Sequence, residues 1–286
     1  MIKSLILCWM LALGATLTSR PLVAQQTAGN STSSADLTSD QIFRPPMADP
    51  FEPASRVRFG GSNLDFGLAL PLAVYTSESK TSDWQIGFLG GIVGRFGSER
   101  TTLYLKSGDF HAGIPLTFRK GKWSVRAEFY HVSSHLGGDY QNLSGFQPFH
   151  YSREAVQGLV SYDAPHNLRV YGGPTLLVRT YPHVGRWALQ AGTEWFPAPL
   201  SGIHWKAYLA DDFQTRGEVD WQTNISLEPG LQFTTRRGEP VARVEGWFYS
   251  GQAPFGELYR ERERVVGAQL IFTLEPAIKS LIIHRH

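Results

Sequence analysis

The feature that most constrains this fold is an alternation of apolar and polar residues that recurs from residue 63 to residue 274. In residues 63–75, for example, the apolar series runs from Leu64 and Phe66 to Val74 at every second position. Because successive side chains of a strand point to opposite faces, a period of two predicts β-strands. Ten further segments of this kind lie near 84–96, 109–119, 122–133, 152–162, 168–179, 186–196, 203–210, 219–234, 241–249 and 264–274.

The length and charge of these segments favour a barrel in a membrane. Roughly nine to eleven tilted residues cross a bilayer as a strand, and several segments are that long. The faces opposite the apolar series carry charges on strand after strand: Arg126, Glu128, Arg169, Arg186, Glu194, Lys206, Glu228, Arg243 and Glu245. Such charges can pair in a lumen while the apolar face meets lipid. The sequence therefore predicts an all-β fold, a transmembrane antiparallel β-barrel; a soluble sandwich or lipocalin-like barrel is the alternative.

Strand number and orientation follow from the same pattern. An even strand number is usual in such barrels, so we expect about twelve strands, with one more between residues 55 and 108; Thr101–Lys106 is a candidate. Short connections near 119–122, 163–166, 197–202 and 235–240 alternate with longer ones, as periplasmic turns alternate with outer loops. Residues 122–133 would then run outward, with an external loop beginning at Ser134.

The two ends of the chain predict export. Residues 1–24 have the positive start, apolar stretch and small residue of a signal peptide, and residues 25–54 have the composition of a flexible leader. The barrel would span residues 55–275 and a tail residues 276–286, with the outer membrane as the location. The only cysteine, Cys8, lies in the predicted signal. The net charge of +2 gives no reason to expect a nucleic-acid partner.

The stretch FYHVSSHLGGDY at residues 129–140 holds the candidate catalytic residues. His131 and Ser133 would share the lipid-facing side of their strand, about 6–7 Å apart, so the imidazole could act as the base for the hydroxyl. Glu154 on the next strand could orient His131, and the backbone of Gly137 and Gly138 could stabilise an oxyanion. This pattern predicts an acyl-ester hydrolase at the outer rim.

Other interpretations of the same stretch stay open. It could be a hydrogen-bonded strand end that shapes the loop, with Ser134, His135, Gly137, Gly138 and Asp139 as possible ligand-binding residues. On an extended strand His131 and His135 lie about 13 Å apart, too far to share one metal ion, so no metal site is predicted. Calcium held by Asp139 and loop carbonyls is a weaker alternative, and no other cofactor is expected. A non-enzymatic barrel, structural or a narrow channel, is the alternative function.

Two more polar stretches have simpler interpretations. Asp109 and His111 fall on the lumen face, where an internal polar network is expected rather than a second catalytic pair. The run RERER at residues 260–264 is either a solvated, self-paired segment or a site for lipopolysaccharide phosphates.

The motif HVSSHLGGDY at residues 131–140, with GDFHAGIPLTFR, YSRE and RVYGGP elsewhere, resembles a bacterial family of uncharacterised outer-membrane barrels. That resemblance implies a barrel without a known activity. The pair His131 and Ser133 also resembles the H-x-S-N motif of outer-membrane phospholipase A and lipid A deacylase, although Ser134 stands where those enzymes have Asn. This local resemblance implies that Ser133 is the nucleophile, His131 the base and Glu154 the orienting residue, with membrane lipids or lipopolysaccharide as partners.

Overall fold

The computed structural model of the chain describes residues 42–60, 63–77, 82–99, 102–198, 200, 204–235 and 240–273. They form a closed antiparallel barrel in which each strand pairs with its neighbours in the chain and the first strand pairs with the last. The strands are β1 Ser55–Gly60, β2 Asn63–Ser77, β3 Asp83–Glu99, β4 Thr102–Lys120, β5 Trp123–Leu136, β6 Tyr151–Ala164, β7 Leu168–Tyr181, β8 Trp187–Trp195, β9 Trp205–Arg216, β10 Gln222–Thr234, β11 Pro240–Gln252 and β12 Arg262–Phe272.

The prediction of a twelve-stranded barrel is confirmed, but the candidate for the extra strand was wrong. The extra strand is β1, whereas residues 102–106 form the first part of β4. A register shift between Arg95 and Phe96 leaves Lys106 unpaired in the β3–β4 ladder. This bulge breaks the period-two pattern within one long strand, so the sequence suggests a separate segment.

The connections divide the barrel into two rims. The terminal rim carries the short turns at 121–122 and 165–167, the connection at 196–204, and the start of β1. The loop rim carries residues 137–150, 182–186, 217–221 and 253–261. This alternation agrees with the predicted one. The loop rim also holds a short helix, α1, at Gly138–Ser144. In the part of the chain described above, no helix is both long and apolar enough to cross a bilayer.

The outer wall presents apolar side chains between two sets of aromatic rings. On β10, for example, the exposed Ile225, Leu227 and Leu231 alternate with the buried Asn224, Ser226 and Glu228. Exposed aromatic residues near the terminal rim are Trp84, Phe118, Trp123, Trp195, Trp205 and Phe233, and those near the loop rim are Tyr181, Trp187 and Trp221. An apolar band between aromatic girdles is the pattern of a wall that faces lipid.

The lumen is filled by two segments of the same chain. Residues 42–54, which we call the plug, lie inside the barrel, with Phe43, Met47 and Ala48 buried. The sequence assigns these residues to a flexible leader, and the structure corrects that assignment. Unlike the rest of the predicted leader, this segment contains apolar and charged residues, and these residues contact side chains of the barrel wall. The predicted signal peptide, residues 25–41 of the predicted leader and the predicted tail lie outside the described residues.

The second segment, residues 253–261, folds in from the loop rim and is called the cap. Phe255 and Leu258 pack with Leu136 at the end of β5, and Tyr259 packs on Tyr151. The cap and the plug thus occupy the lumen from opposite ends.

A charged residue in the middle of the apolar band tests its contact with lipid. Leu227 is 38% exposed and lies midway between Trp221 and Phe233, so Leu227→Arg should destabilise the folded barrel by about 2–4 kcal/mol in bilayers. Folding into lipid vesicles, followed by heat-modifiable gel migration, measures the effect. Leu143→Arg, the same change on the exposed helix α1, is the control and should fold like the wild type. Equal folding of both variants would contradict a lipid-facing band.

Candidate functional site

The predicted catalytic residues lie on the outer face near the loop rim. His131 on β5 is the direct register partner of Glu154 on β6, and Ser133 is the partner of Ser152. His131 and Ser133 are half-buried and point to the same outer side, because the inward positions of β5 are the buried Glu128 and Ser134. The structure therefore brings the three predicted residues to one patch of the outer wall.

Their side chains are not joined in the manner of a triad. The Glu154 carboxylate pairs with Arg179 of β7, with 3.5 Å between Oε1 and Nη1. Among the hydrogen bonds of the described residues, none links His131 to Ser133 or to Glu154. The catalytic roles of these residues thus remain a prediction.

Ser134 belongs to β5 and not to a loop, because the strand continues to Leu136. Its side chain points into the lumen, is buried, and donates to Oδ1 of Asp109. The cap completes this arrangement: Gly256 N–H donates to Asp109 at 2.7 Å, and Glu257 N–H donates to the Ser134 hydroxyl at 3.1 Å. Asp109 is therefore part of an internal polar network, as predicted.

His111 takes part in a second internal contact. Its Nε2 lies 3.2 Å from Oε1 of Glu128, and its ring stacks on Tyr130. These contacts confirm that His111 faces the lumen and serves the interior network.

The two glycines of the motif have different environments. The N–H of Gly137 donates to the carbonyl of Lys106 at 3.0 Å, so it is already engaged. A Cβ at Gly137 would lie 1.9 Å from the carbonyl oxygen of Leu105, whereas a Cβ at Gly138 would meet nothing within 4 Å. Close approach of two backbones therefore explains Gly137.

His135 and Asp139 are exposed at the loop rim. His135 makes an edge contact with Phe110, with ring centroids 6.1 Å apart, and Asp139 lies in the first turn of α1. Within the described ranges, no group of three or more His, Cys, Asp or Glu side chains is arranged to hold a metal ion.

Several buried polar contacts join the plug to the lumen wall. Arg126 donates to both carboxylate oxygens of Glu52 at 2.7 and 2.8 Å, in a buried bidentate pair. Burial raises the pKa of Glu52, and the Arg126 guanidinium opposes that rise. The Glu52 carboxylate therefore loses its charge at a higher pH than an exposed glutamate would, which weakens the pair on acidification.

Further wall groups hold the first half of the plug. Arg44 pairs with Asp163 at the end of β6, and the N–H of Met47 donates to Glu194 at 3.0 Å. The ring of Phe43 lies 5.3 Å from the guanidinium of Arg126, a cation–π contact.

Asp49 is held by two amides. Nε2 of Gln190 donates to Asp49 and to Asp212, both at 2.8 Å. Nε2 of Gln214 donates to the same two carboxylates at 2.7 and 2.8 Å. The plug is thus held by side-chain hydrogen bonds and charge pairs along most of its length.

Two cavities remain beside the plug. The cap-side cavity, of about 150 Å³, lies between plug and cap and is bordered by Phe51, Phe255, Arg153 and Arg216 among others. The terminal-side cavity, of about 200 Å³, is bordered by Phe43, Pro71, Gln232 and Arg243 among others. The sequence did not predict that residues 42–54 fill the lumen, because the composition of a short segment does not show which charged residues of the wall it will contact. One sequence feature could have indicated the plug: from residue 42 onward, apolar and acidic residues replace the Ser-, Thr- and Gln-rich composition that precedes them.

Comparisons with known proteins address the family and not the activity. The family model described as "Protein of unknown function (DUF1207)" matches residues 20–274. The chain belongs to this family. No curated protein matches the sequence significantly. Among solved structures, the transport unit of the autotransporter AIDA-I from Escherichia coli is similar at 10% identity and a TM-score of 0.41, over 76% of this chain and 87% of that one.

The close approach at the end of β5 can be tested with adjacent glycines. Gly137→Ala should destabilise the barrel by about 1–3 kcal/mol, because the added methyl group would collide with the Leu105 carbonyl. Gly138→Ala is the matched control and should leave stability unchanged or slightly higher. Urea unfolding in detergent micelles, followed by tryptophan fluorescence, measures both variants. Equal stability of the two would contradict the backbone contact.

Proposed function

We propose that this chain is an outer-membrane barrel that forms a narrow passage closed by its own plug and cap. The observation that carries the proposal is the position of residues 42–54 in the lumen, held to the wall by groups such as the Glu52–Arg126 pair. Plugged lumens occur among membrane barrels that conduct or transport solutes.

The outer wall supports the membrane location. An exposed apolar band between aromatic residues would be unfavourable around an entire surface in water, but it matches the hydrocarbon layer of a bilayer. Membrane lipids or lipopolysaccharide would then surround the barrel.

The contacts between plug and wall favour a plug that can leave the lumen over one that fills it permanently. Within the described residues, no backbone–backbone hydrogen bond joins the plug to the wall, so its withdrawal would break no strand ladder. Many of the side chains that hold it are polar or charged and can exchange their partners for water, while Met47 and Ala48 add a small apolar contact with the wall. Residue 54 directly precedes β1, so the plug can leave while every strand stays paired.

Loss of the Glu52 charge should open the passage. Glu52→Gln leaves Arg126 without its bidentate partner, which should weaken plug binding by about 3 kcal/mol, or a factor of about 100 in the closed-to-open ratio. Single-barrel recordings in planar bilayers should show rare openings for the wild type and frequent openings for the variant. Glu228→Gln is the control, because Glu228 is also buried but lies beside Arg58 on the wall, 3.9 Å away, and forms no hydrogen bond or ion pair with the plug among the described residues.

A second readout is independent of current. Ala48→Cys introduces a buried thiol into the plug, and the only natural cysteine lies in the predicted signal. A membrane-impermeant maleimide should label this thiol faster in combination with Glu52→Gln than with Glu228→Gln. Absence of conductance from Glu52→Gln and from a folded barrel lacking residues 42–54 would overturn the passage.

One observation favours a second candidate function, a lipid acyl-ester hydrolase. His131 and Glu154 stand directly opposite each other, with Ser133 on the same outer face. In this mechanism Ser133 attacks the acyl carbon of a phospholipid or lipid A ester while His131, oriented by Glu154, accepts the hydroxyl proton. The ester C–O bond then breaks, His131 returns the proton to the leaving alcohol, and water hydrolyses the acyl-serine to release the fatty acid. Glu154 would have to exchange Arg179 for His131 when substrate binds.

Fatty-acid release from mixed micelles containing phospholipid or lipid A, with and without calcium, tests this candidate. Ser133→Ala and His131→Ala should each lower the rate at least about 1,000-fold, because both act directly in the proton transfer and attack. Ser152→Ala removes the neighbouring hydroxyl opposite Ser133 and should keep full activity. Hydrolysis that survives Ser133→Ala would remove the assignment.

A further inference from the structure

Arg56 is a buried cation without a carboxylate partner. It lies on β1, is 5% exposed, and its Nη2 donates to the carbonyl of Pro50 at 3.1 Å. Its Nε has no hydrogen-bond partner. Among the described residues, no carboxylate oxygen lies within 4.0 Å of an Arg56 side-chain nitrogen. A buried charge in this state is costly unless something else neutralises it.

Other buried arginines of the lumen do not share this state. Their carboxylate partners and nitrogen–oxygen distances are Asp65 for Arg95 at 2.9 Å, Glu52 for Arg126 at 2.7 Å, Glu218 for Arg153 at 3.1 Å and Glu194 for Arg169 at 2.9 Å. The carboxylates of Asp49, Asp65 and Glu228 act on Arg56 only from farther away. Arg56 therefore stands out from a general pattern of pairing.

Arg56 borders both lumen cavities, as Arg126, Asp49 and Glu52 also do. The charged residues that line the terminal-side cavity are four arginines against two carboxylates: Arg44, Arg56, Arg126 and Arg243 against Asp49 and Glu52. Three of these arginines also pair with carboxylates that do not line the cavity: Arg44 with Asp163, Arg126 with Glu128 at 3.5 Å and Arg243 with Glu245 at 3.7 Å. Among the described residues, Arg56 is therefore the lining arginine without a carboxylate within 4.0 Å.

The strand register places more donors in line with Arg56. Ile271 of β12 pairs with both Arg56 of β1 and Arg243 of β11, and Arg243 pairs with Gln232 of β10. With strands about 4.8 Å apart, the Cα atoms of Arg56 and Arg243 lie about 10 Å apart, a span that two arginine side chains can bridge to one ion. Nε of Arg243 and Nε2 of Gln232 also lack partners.

The unpartnered buried atoms around the terminal-side cavity are donors and not acceptors. They are Arg56 Nε, Arg243 Nε and Gln232 Nε2, whereas Arg126 Nε lies 3.5 Å from Oε2 of Glu128. A ligand that fits them must supply acceptor oxygens and negative charge. Carboxylates and phosphate do so and match the planar donor fork of a guanidinium. A cavity of about 200 Å³ has room for such an ion with water.

We propose that Arg56, with Arg243 and Gln232, forms a binding site for a small oxyanion, a carboxylate or inorganic phosphate, in the terminal-side cavity. This proposal deepens the passage by naming the class of solute, although the site itself exists in the closed barrel. The anion would take the place of the missing carboxylate partner.

Isothermal titration of the folded wild-type barrel in detergent micelles tests the site. Inorganic phosphate and acetate are titrated separately at constant ionic strength set with sodium chloride. We expect saturable binding of at least one of them, weakened about tenfold or more by Arg56→Gln, since charge-assisted hydrogen bonds are lost. Arg56→Lys keeps the positive charge but lacks the planar guanidinium, so its affinity for the anion should lie between those of the wild type and Arg56→Gln.

Arg264→Gln removes an exposed arginine of β12 and serves as the control, which should bind like the wild type. Heat-modifiable gel migration confirms that each variant is folded. Equal affinity of the wild type and Arg56→Gln, or no saturable binding up to about 50 mM of either anion, would overturn the site.

The closed wild-type barrel is sufficient for this titration, so the result does not depend on conductance. Binding without current from either Glu52→Gln or the barrel lacking residues 42–54 would support the anion site and reject the passage. Current without anion binding would support the passage and reject the anion site.

Discussion

The hydrogen-bonded pairing of β1 with β12 is the constraint on which the rest of this structure depends. Six residues, Ser55 to Gly60, pair with Gly267 to Phe272 and turn an open sheet into a barrel. In a bilayer an open edge would leave backbone groups unsatisfied, so closure is what permits a sheet to span lipid. Closure also defines an inside, and the alternation of each strand then assigns every side chain to lumen or exterior.

Closure creates an interior in which charge has to be neutralised, and the plug is part of that neutralisation. Arg126 is paired with Glu52 of the plug as well as with wall groups, and Glu194 accepts from both Arg169 and the plug backbone. The wall is thus complementary to this segment of its own chain. Buried charge pairs of this kind contribute little net stability, but they strongly disfavour removal of one partner. In the proposed passage, withdrawal of the plug would have to break these pairs.

The local pattern around His131 shows how far a sequence can determine a site. The shared outer face of His131 and Ser133 follows from strand parity, and the apolar and polar faces of β6 suffice to place Glu154 beside them. The Arg179 contact could not be predicted in this way. It depends on a bulge between Glu154 and Ala155 in the β6–β7 ladder, and a shift of one residue decides which side chain faces Glu154. The sequence assigned Ser134 to an external loop, but the residue lies on β5 and faces the lumen. Its neighbours there, Asp109 and Gly256, come from distant parts of the chain, so the local pattern does not show them.

By itself, the sequence determined the barrel, the approximate strand number, the alternation of short and long connections and the face of the residues within the predicted strands. These properties come from a period of two, which is local and repeated in every strand. Only the tertiary structure decided that β1 closes the barrel, that residues 42–54 fill it, and that Arg56 has no carboxylate within 4.0 Å among the described residues. Those outcomes depend on which distant groups meet across the lumen, and pairing between distant charges leaves no periodic trace in the chain.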